Sequence, residues 1–186
     1  MTPTTLAAPP ALLTAEEFFE RYAHKRAELV DGVVIEEEPV PAARRGEICA
    51  EITRILGNFA KESKLGRVMS NDTMVRIRDK TVRGPDVLFV SYTRLPPGPA
   101  PDKLTDMVPE LAIEVRSPSN DWPDIFGKVS DYLKAGVTAV LVVDPEQATG
   151  SVYRGSEIPQ IFDNGDVLTI PDVLPGFAVP LKAFFA

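Results

Sequence analysis

The 186-residue sequence holds one cysteine and one histidine. A lone cysteine excludes an internal disulfide, and Cys49 falls inside a helical apolar pattern, where a small core residue is expected. A lone histidine excludes imidazole-rich zinc sites, and any Ser-His-Asp triad would have to be built around His24. That residue lies in Tyr22-Ala23-His24-Lys25-Arg26, which reads as an exposed helix end. No apolar run approaches the ~20 residues of a membrane span. The longest, Val137 to Val143, already contains Thr138. No basic-then-apolar leader opens the sequence, whose first Lys or Arg is Arg21, so a cytoplasmic protein off the membrane is expected. Phosphate loops, dinucleotide fingerprints and Gly-x-Ser-x-Gly elbows are also missing, which leaves a small-molecule hydrolase without support. Positive charge is short as well. A net charge of −7 argues against a nucleic-acid coat protein, though not against an enzyme with a local basic patch.

What is there is ordinary for a globular domain: 44% hydrophobic and 25% charged residues. Residues 1–13, rich in Pro, Thr and Ala, read as a flexible arm, and 14–186 as one domain. Thr14-Ala15-Glu16-Glu17 has capping-box spacing and opens a helix to about Ala23. Asp31-Gly32 between apolar runs predicts a hairpin, because both central turn residues need positive φ. Ile48, Ile52, Ile55, Leu56 and Phe59 form one face of a helix from Gly46 to about Ser63. Strands follow near 66–70 and 74–78. A helix from about Asp124 to Ala135 is closed by Gly136, and Val137–Val143 forms a buried strand. Short strands are expected at 151–154, 160–162 and 167–170. This order predicts an α/β or α+β domain around a central mixed sheet.

Two carboxylates stand at the ends of apolar runs: Asp86 in Gly84-Pro85-Asp86-Val87-Leu88-Phe89-Val90, and Glu114 in Leu111-Ala112-Ile113-Glu114-Val115-Arg116. A buried strand end seldom carries an unpaired acid. If the strands are neighbours, the acids can share a divalent cation, a standard means of activating water against a phosphodiester. The backbone carbonyl of Val115 would remain available as a further oxygen ligand. Glu114 and Arg116 share a strand face, and Asp124, Lys128 and Tyr132 form one helix stripe. Read singly, Asp86 also fits a strand start or turn cap, Glu114 with Arg116 a surface ion pair, and Lys128 a solvated helix residue. Arg76, Arg78, Lys80 and Arg83 form a basic face that either grips a nucleic-acid backbone or is a solvated edge. Ser117 lacks a nearby histidine and reads as a turn or helix cap.

Taken in order, these pieces resemble the Uma2 family, a branch of the PD-(D/E)xK restriction-endonuclease-like nucleases. The matching segments are Glu28-Leu29-Val30-Asp31-Gly32, Gly84-Pro85-Asp86-Val87 and Ile113-Glu114-Val115-Arg116-Ser117-Pro118-Ser119. Lys128, Tyr132 and Gly136-Val137 follow, then Val142-Val143-Asp144-Pro145 and Leu174-Pro175-Gly176-Phe177. The resemblance implies a restriction-endonuclease-like core with an added N-terminal hairpin, and a Mg²⁺- or Mn²⁺-dependent endonuclease acting on DNA. It implies Asp86 and Glu114 as metal ligands with the Val115 carbonyl, and Lys128 as the catalytic lysine. Apart from the resemblance, the residues themselves offer Arg116, Arg76, Arg78 and Arg83 as candidates for substrate contact, and Glu28 and Tyr132 as candidate accessories. The sequence departs from the pattern where Arg116 replaces the motif lysine, since arginine stays protonated and cannot act as a base. It departs again at the start of the long helix, where the family usually shows histidine and the nearest residue is Arg45. The alternative is a nuclease-like fold without catalysis that binds nucleic acid or protein. A two-fold dimer would suit an enzyme cutting both strands.

Overall fold

A computed structural model describes residues 12–22, 24–36, 43–71, 73–100, 107–117 and 120–185. The expected arm lies outside the described residues up to residue 11. Leu13, assigned to that arm on composition, is buried, and its N–H donates to the Gly32 carbonyl at 2.9 Å. Helix α1 (Ala15–Tyr22) opens with the reciprocal cap that the Thr-x-x-Glu spacing predicts. The Thr14 N–H donates to the Glu17 carboxylate at 2.9 Å, and the Glu17 N–H to the Thr14 hydroxyl at 3.3 Å. The hairpin of β1 (Ala27–Val30) and β2 (Val33–Glu36) turns on Asp31 (φ 49°) and Gly32 (φ 87°).

Helix α2 (Ala43–Glu62) starts three residues before the expected Gly46. Four strands follow: β3 (Gly66–Ser70), β4 (Val75–Arg78), β5 (Thr81–Arg83) and β6 (Val87–Ser91). The next segment is β7 (Leu111–Val115), helix α3 (Trp122–Ala135) and β8 (Ala139–Asp144). Strands β9 (Thr149–Tyr153), β10 (Gln160–Phe162), β11 (Val167–Leu168) and β12 (Val179–Pro180) precede a 3-10 turn at Leu181–Phe184. Strand β5 was not expected, because Arg83 reads as a surface residue. The central sheet has the order β10-β9-β8-β7-β6-β3, with β7 and β8 parallel across the α3 crossover and its other pairs antiparallel. It is the mixed sheet the sequence predicts. A second sheet, β2-β1-β5-β4, carries the hairpin.

Strand period two divides the core. Leu111, Ile113 and Val115 of β7, with Leu141 and Val143 of β8, pack on Ile48, Ile52 and Leu56 of α2. Ala112, Val140 and Val142 face the other way, onto Ile125, Val129 and Tyr132 of α3. Both faces of β7 are therefore covered, and Glu114 stands buried on the α3 side. Helix α3 ends at left-handed Gly136 as the sequence suggests, but begins two residues before the expected Asp124, where the Asp121 side chain accepts from the Asp124 N–H. Among the described residues no helix is long and apolar enough to cross a membrane.

Two glycines give a test with opposite signs. A Cβ on Gly66 would lie 2.1 Å from the Val90 carbonyl oxygen and 2.7 Å from the Phe89 ring. Gly57, inside α2, has nothing within 4 Å of the corresponding point. Gly66→Ala should destabilise by about 2 kcal/mol or more. Gly57→Ala should stabilise by about 0.5–1 kcal/mol. Urea unfolding of both variants checks this, and a shift of equal sign in the two would contradict the packing described.

Candidate active site

The ends of β6 and β7 bring the two acids together. Val87 pairs with Ile113 in antiparallel register, so one residue further Asp86 lies beside Glu114. Asp86 is locked in place: its Oδ2 accepts the Val115 N–H at 2.8 Å, and its Oδ1 accepts from Arg45 Nη2 at 2.5 Å. Arg45 Nε also donates to the Val115 carbonyl at 3.0 Å. That carbonyl, expected to be open, thus already has a cation on it.

Glu114 is 2% exposed. Its Oε1 accepts from the Tyr132 hydroxyl at 2.8 Å, and its Oε2 lies 3.5 Å from Lys128 Nζ. Lys128 in turn sits 3.0 Å from Glu28 Oε1. Its ammonium therefore spans one acid on β7 and one on β1, and its side chain is only 12% exposed. The helix stripe predicted from spacing faces the strand ends at Lys128 and Tyr132, whereas Asp124 is exposed. Glu28 continues the chain of charges. It accepts the Gly84 N–H at 3.0 Å and pairs with Arg83 Nη1 at 2.8 Å, while Arg83 Nη2 reaches Asp131 of α3 at 2.7 Å.

Burial pushes the Glu114 carboxyl up to about 7; nearby Asp86 and Glu28 add to this, while Lys128 and the Tyr132 hydroxyl oppose it. Burial also raises Glu28, but the charges of Lys128 and Arg83 and the Gly84 N–H outweigh it and leave its carboxyl lowered. Burial, reinforced by Glu114 and Glu28, lifts the Tyr132 phenol well above its ordinary value, so it remains a donor. Two acids of one cluster are thus pushed in opposite directions, a distribution typical of functional sites.

The arginines expected to contact substrate are each engaged with acids. Arg83 is buried between Glu28 and Asp131 rather than on a surface. Arg76 pairs with Glu16 and Asp79, and Arg78 with Asp31 and Asp131. Arg116 turns away from Glu114, onto Asp144 and Glu146, with its guanidinium 5.2 Å from the Trp122 ring centre. Arg76, Arg78 and Arg83 of the basic face are thus paired with acids, all but Asp79 from distant segments. Ser117 donates its hydroxyl to Asn120 in a turn, and His24 is exposed just beyond α1. Asp131 and the inward reach of Arg45 escaped the sequence reading. An acid next to the core residue Tyr132, and an arginine in the first turn of a helix, were the available signals.

Among the described residues no group of three or more His, Cys, Asp or Glu side chains forms a metal cage. The oxygens able to hold a hard cation are Asp86, Glu114 and the Val115 carbonyl, a set small enough for an ion that keeps several waters. Arg45 shows that Asp86 Oδ1 and the Val115 carbonyl already converge on one cation.

The Uma2 family model, described as "Putative restriction endonuclease", matches residues 15–182. The chain belongs to the Uma2 family. A solved relative of this Uma2 protein is a DUF820 chain from Anabaena variabilis ATCC 29413, titled "a putative nuclease". It superposes with a TM-score of 0.82 at 21% identity, over 93% of this chain and 97% of that one. That likeness establishes the fold. The DrdV–DNA complex, solved by cryo-electron microscopy, matches at a TM-score of 0.39 and 18% identity, over 77% of this chain and 94% of that one. No curated protein matches the chain.

The raised Glu114 value has a measurable consequence for this Uma2 chain without metal. Between about 4.5 and about 7 the folded state keeps a proton that the unfolded state has lost, so stability falls as pH rises through that window. Glu114→Gln removes the ionisation. Relative to the native chain, it should gain stability from about pH 5 to about pH 8, by an amount on the order of 3 kcal/mol at most. Urea unfolding in EDTA reads the difference, and a pH-independent difference would contradict a buried, elevated carboxyl.

Proposed function

We propose that the chain is a Mg²⁺- or Mn²⁺-dependent endonuclease that hydrolyses phosphodiester bonds in DNA at the Asp86–Glu114–Lys128 cluster. The observation that carries this reading is the meeting of a part-buried ammonium with buried carboxylates from two strands, Lys128 lying 3.5 Å from Glu114 and 3.0 Å from Glu28. Asp86, Glu114 and the Val115 carbonyl would hold the divalent ion. When bound, it lowers the pKa of water and offsets negative charge on the phosphate.

The remaining roles belong to the side chains. Tyr132 donates to Glu114 Oε1 and fixes the carboxylate plane, leaving Oε2 toward Lys128. Glu28 pairs with Lys128 and restricts where its ammonium points. From there Lys128 can donate to a phosphate oxygen or orient an attacking water. Arg116 stands at the motif lysine position but is committed to Asp144 and Glu146, so the lysine role falls to α3. The second reading, a nuclease-like module that binds without cutting, is favoured by Arg45, whose guanidinium already occupies Asp86 and the Val115 carbonyl.

Plasmid and oligonucleotide cleavage separates the two. The expected result is Mn²⁺-supported cleavage, abolished by EDTA and lowered at least about 100-fold by Glu114→Gln and by Lys128→Met. Cleavage that survives both substitutions would place the activity elsewhere. No cleavage by the native chain, together with DNA binding unaffected by Asp86→Asn, would favour the binding module.

A further inference from the structure

Arg45 is an unusual residue for its place in the helix. The first turn of α2 carries Arg44 and Arg45 and no acid, although the N-terminal end of a helix is the positive end of its dipole. Arg44 is accounted for at the surface, donating to Glu47 at 2.8 Å and to the Phe185 carbonyl at 2.6 Å. Arg45 turns inward and places two nitrogens of one planar guanidinium on Asp86 Oδ1 and the Val115 carbonyl. Its side chain remains 24% exposed, against 8% for Asp86, so the arginine has a path to solvent that its partner lacks.

We propose that Arg45 is a tethered cation that holds the Asp86 and Val115 oxygens in place without metal and is displaced when a divalent ion takes them. This rests on the metal-dependent reading of the site. Several facts favour it. The oxygens that Arg45 grips are two of the three donors assigned to the ion. Two cations on one carboxylate oxygen repel in a site of low dielectric, so the guanidinium and the ion exclude each other. The other acids share two cations: Lys128 lies between Glu28 and Glu114, and Arg83 between Glu28 and Asp131. The three carboxylates around Lys128 and Arg83 leave one negative charge, so a divalent ion is fully balanced only when Arg45 leaves and Asp86 supplies a second. Metal affinity in this chain is set by that competition, and the released guanidinium becomes a free donor beside the site, suited to a phosphate.

Mn²⁺ binding, followed by the electron paramagnetic resonance signal of the free ion and by calorimetry, tests the proposal without any reference to cleavage. Arg45→Gln, checked for folding by circular dichroism, should bind Mn²⁺ at least about tenfold more tightly than the native chain. A double variant, Arg45→Gln with Asp86→Asn, should lose that gain. On the native chain, saturating Mn²⁺ should increase phenylglyoxal labelling of Arg45, read by peptide mass. This labelling decides the matter alone if Arg45→Gln does not fold. Equal or weaker affinity in Arg45→Gln, or labelling of Arg45 unchanged by bound Mn²⁺, overturns the displacement while leaving the metal site standing. Failure of both native and variant chains to bind Mn²⁺ overturns the metal-dependent reading, and the displacement with it.

Discussion

Glu114 lies on a strand whose neighbours Ile113 and Val115 pack under α2 while its own side faces α3. A carboxylate so enclosed must be neutral or fully paired, since a lone buried charge costs several kcal/mol even after relaxation. Much of the surrounding polar structure answers that demand. Tyr132 and Lys128 of α3 attend to Glu114, Glu28 of β1 attends to Lys128, and Arg83 of β5 ties Glu28 to Asp131 of α3. The smaller sheet is thus coupled to the central one through ions. It supplies Glu28, the second carboxylate that makes an ammonium tolerable beside Glu114.

This coupling also explains how a protein of net charge −7 could act on a polyanion. Most of its interior basic groups are matched to specific acids, and the row of arginines on β4 and β5 is spent inside the fold or against local carboxylates. A phosphate would be met by a bound ion and Lys128 rather than by a broad positive surface. Attraction of that kind is short in range and depends on a few groups at the strand ends.

The elements whose cause is local were legible in the sequence. The Thr14–Glu17 cap, the Asp31-Gly32 turn, the apolar stripe of α2 and the glycine stop of α3 each follow from residues within a few positions of one another. The nearness of Asp86 and Glu114 stood in the sequence only as a condition, that their strands be neighbours, and the pairing of β6 with β7 supplies it. Partners drawn from far along the chain were not legible. Arg83 finds Glu28 and Asp131 at separations of 55 and 48 residues, and without them it reads as exposed. Arg45 reaches Asp86 across 41 residues and Val115 across 70, so its inward turn had only the odd helix position as a signal. Strand β5 went unrecognised for the same reason: two of its three side chains, Thr81 and Arg83, are polar yet buried.

The central claim is that the ends of β6 and β7 form a cation site served by Lys128. The most direct measurement is an anomalous difference map from crystals grown with Mn²⁺ at neutral pH. The account predicts one strong peak shared by Asp86, Glu114 and the Val115 carbonyl, with the Lys128 ammonium beside it. A map with no peak there, or with Mn²⁺ bound only to surface carboxylates while Arg45 stays on Asp86, would contradict it.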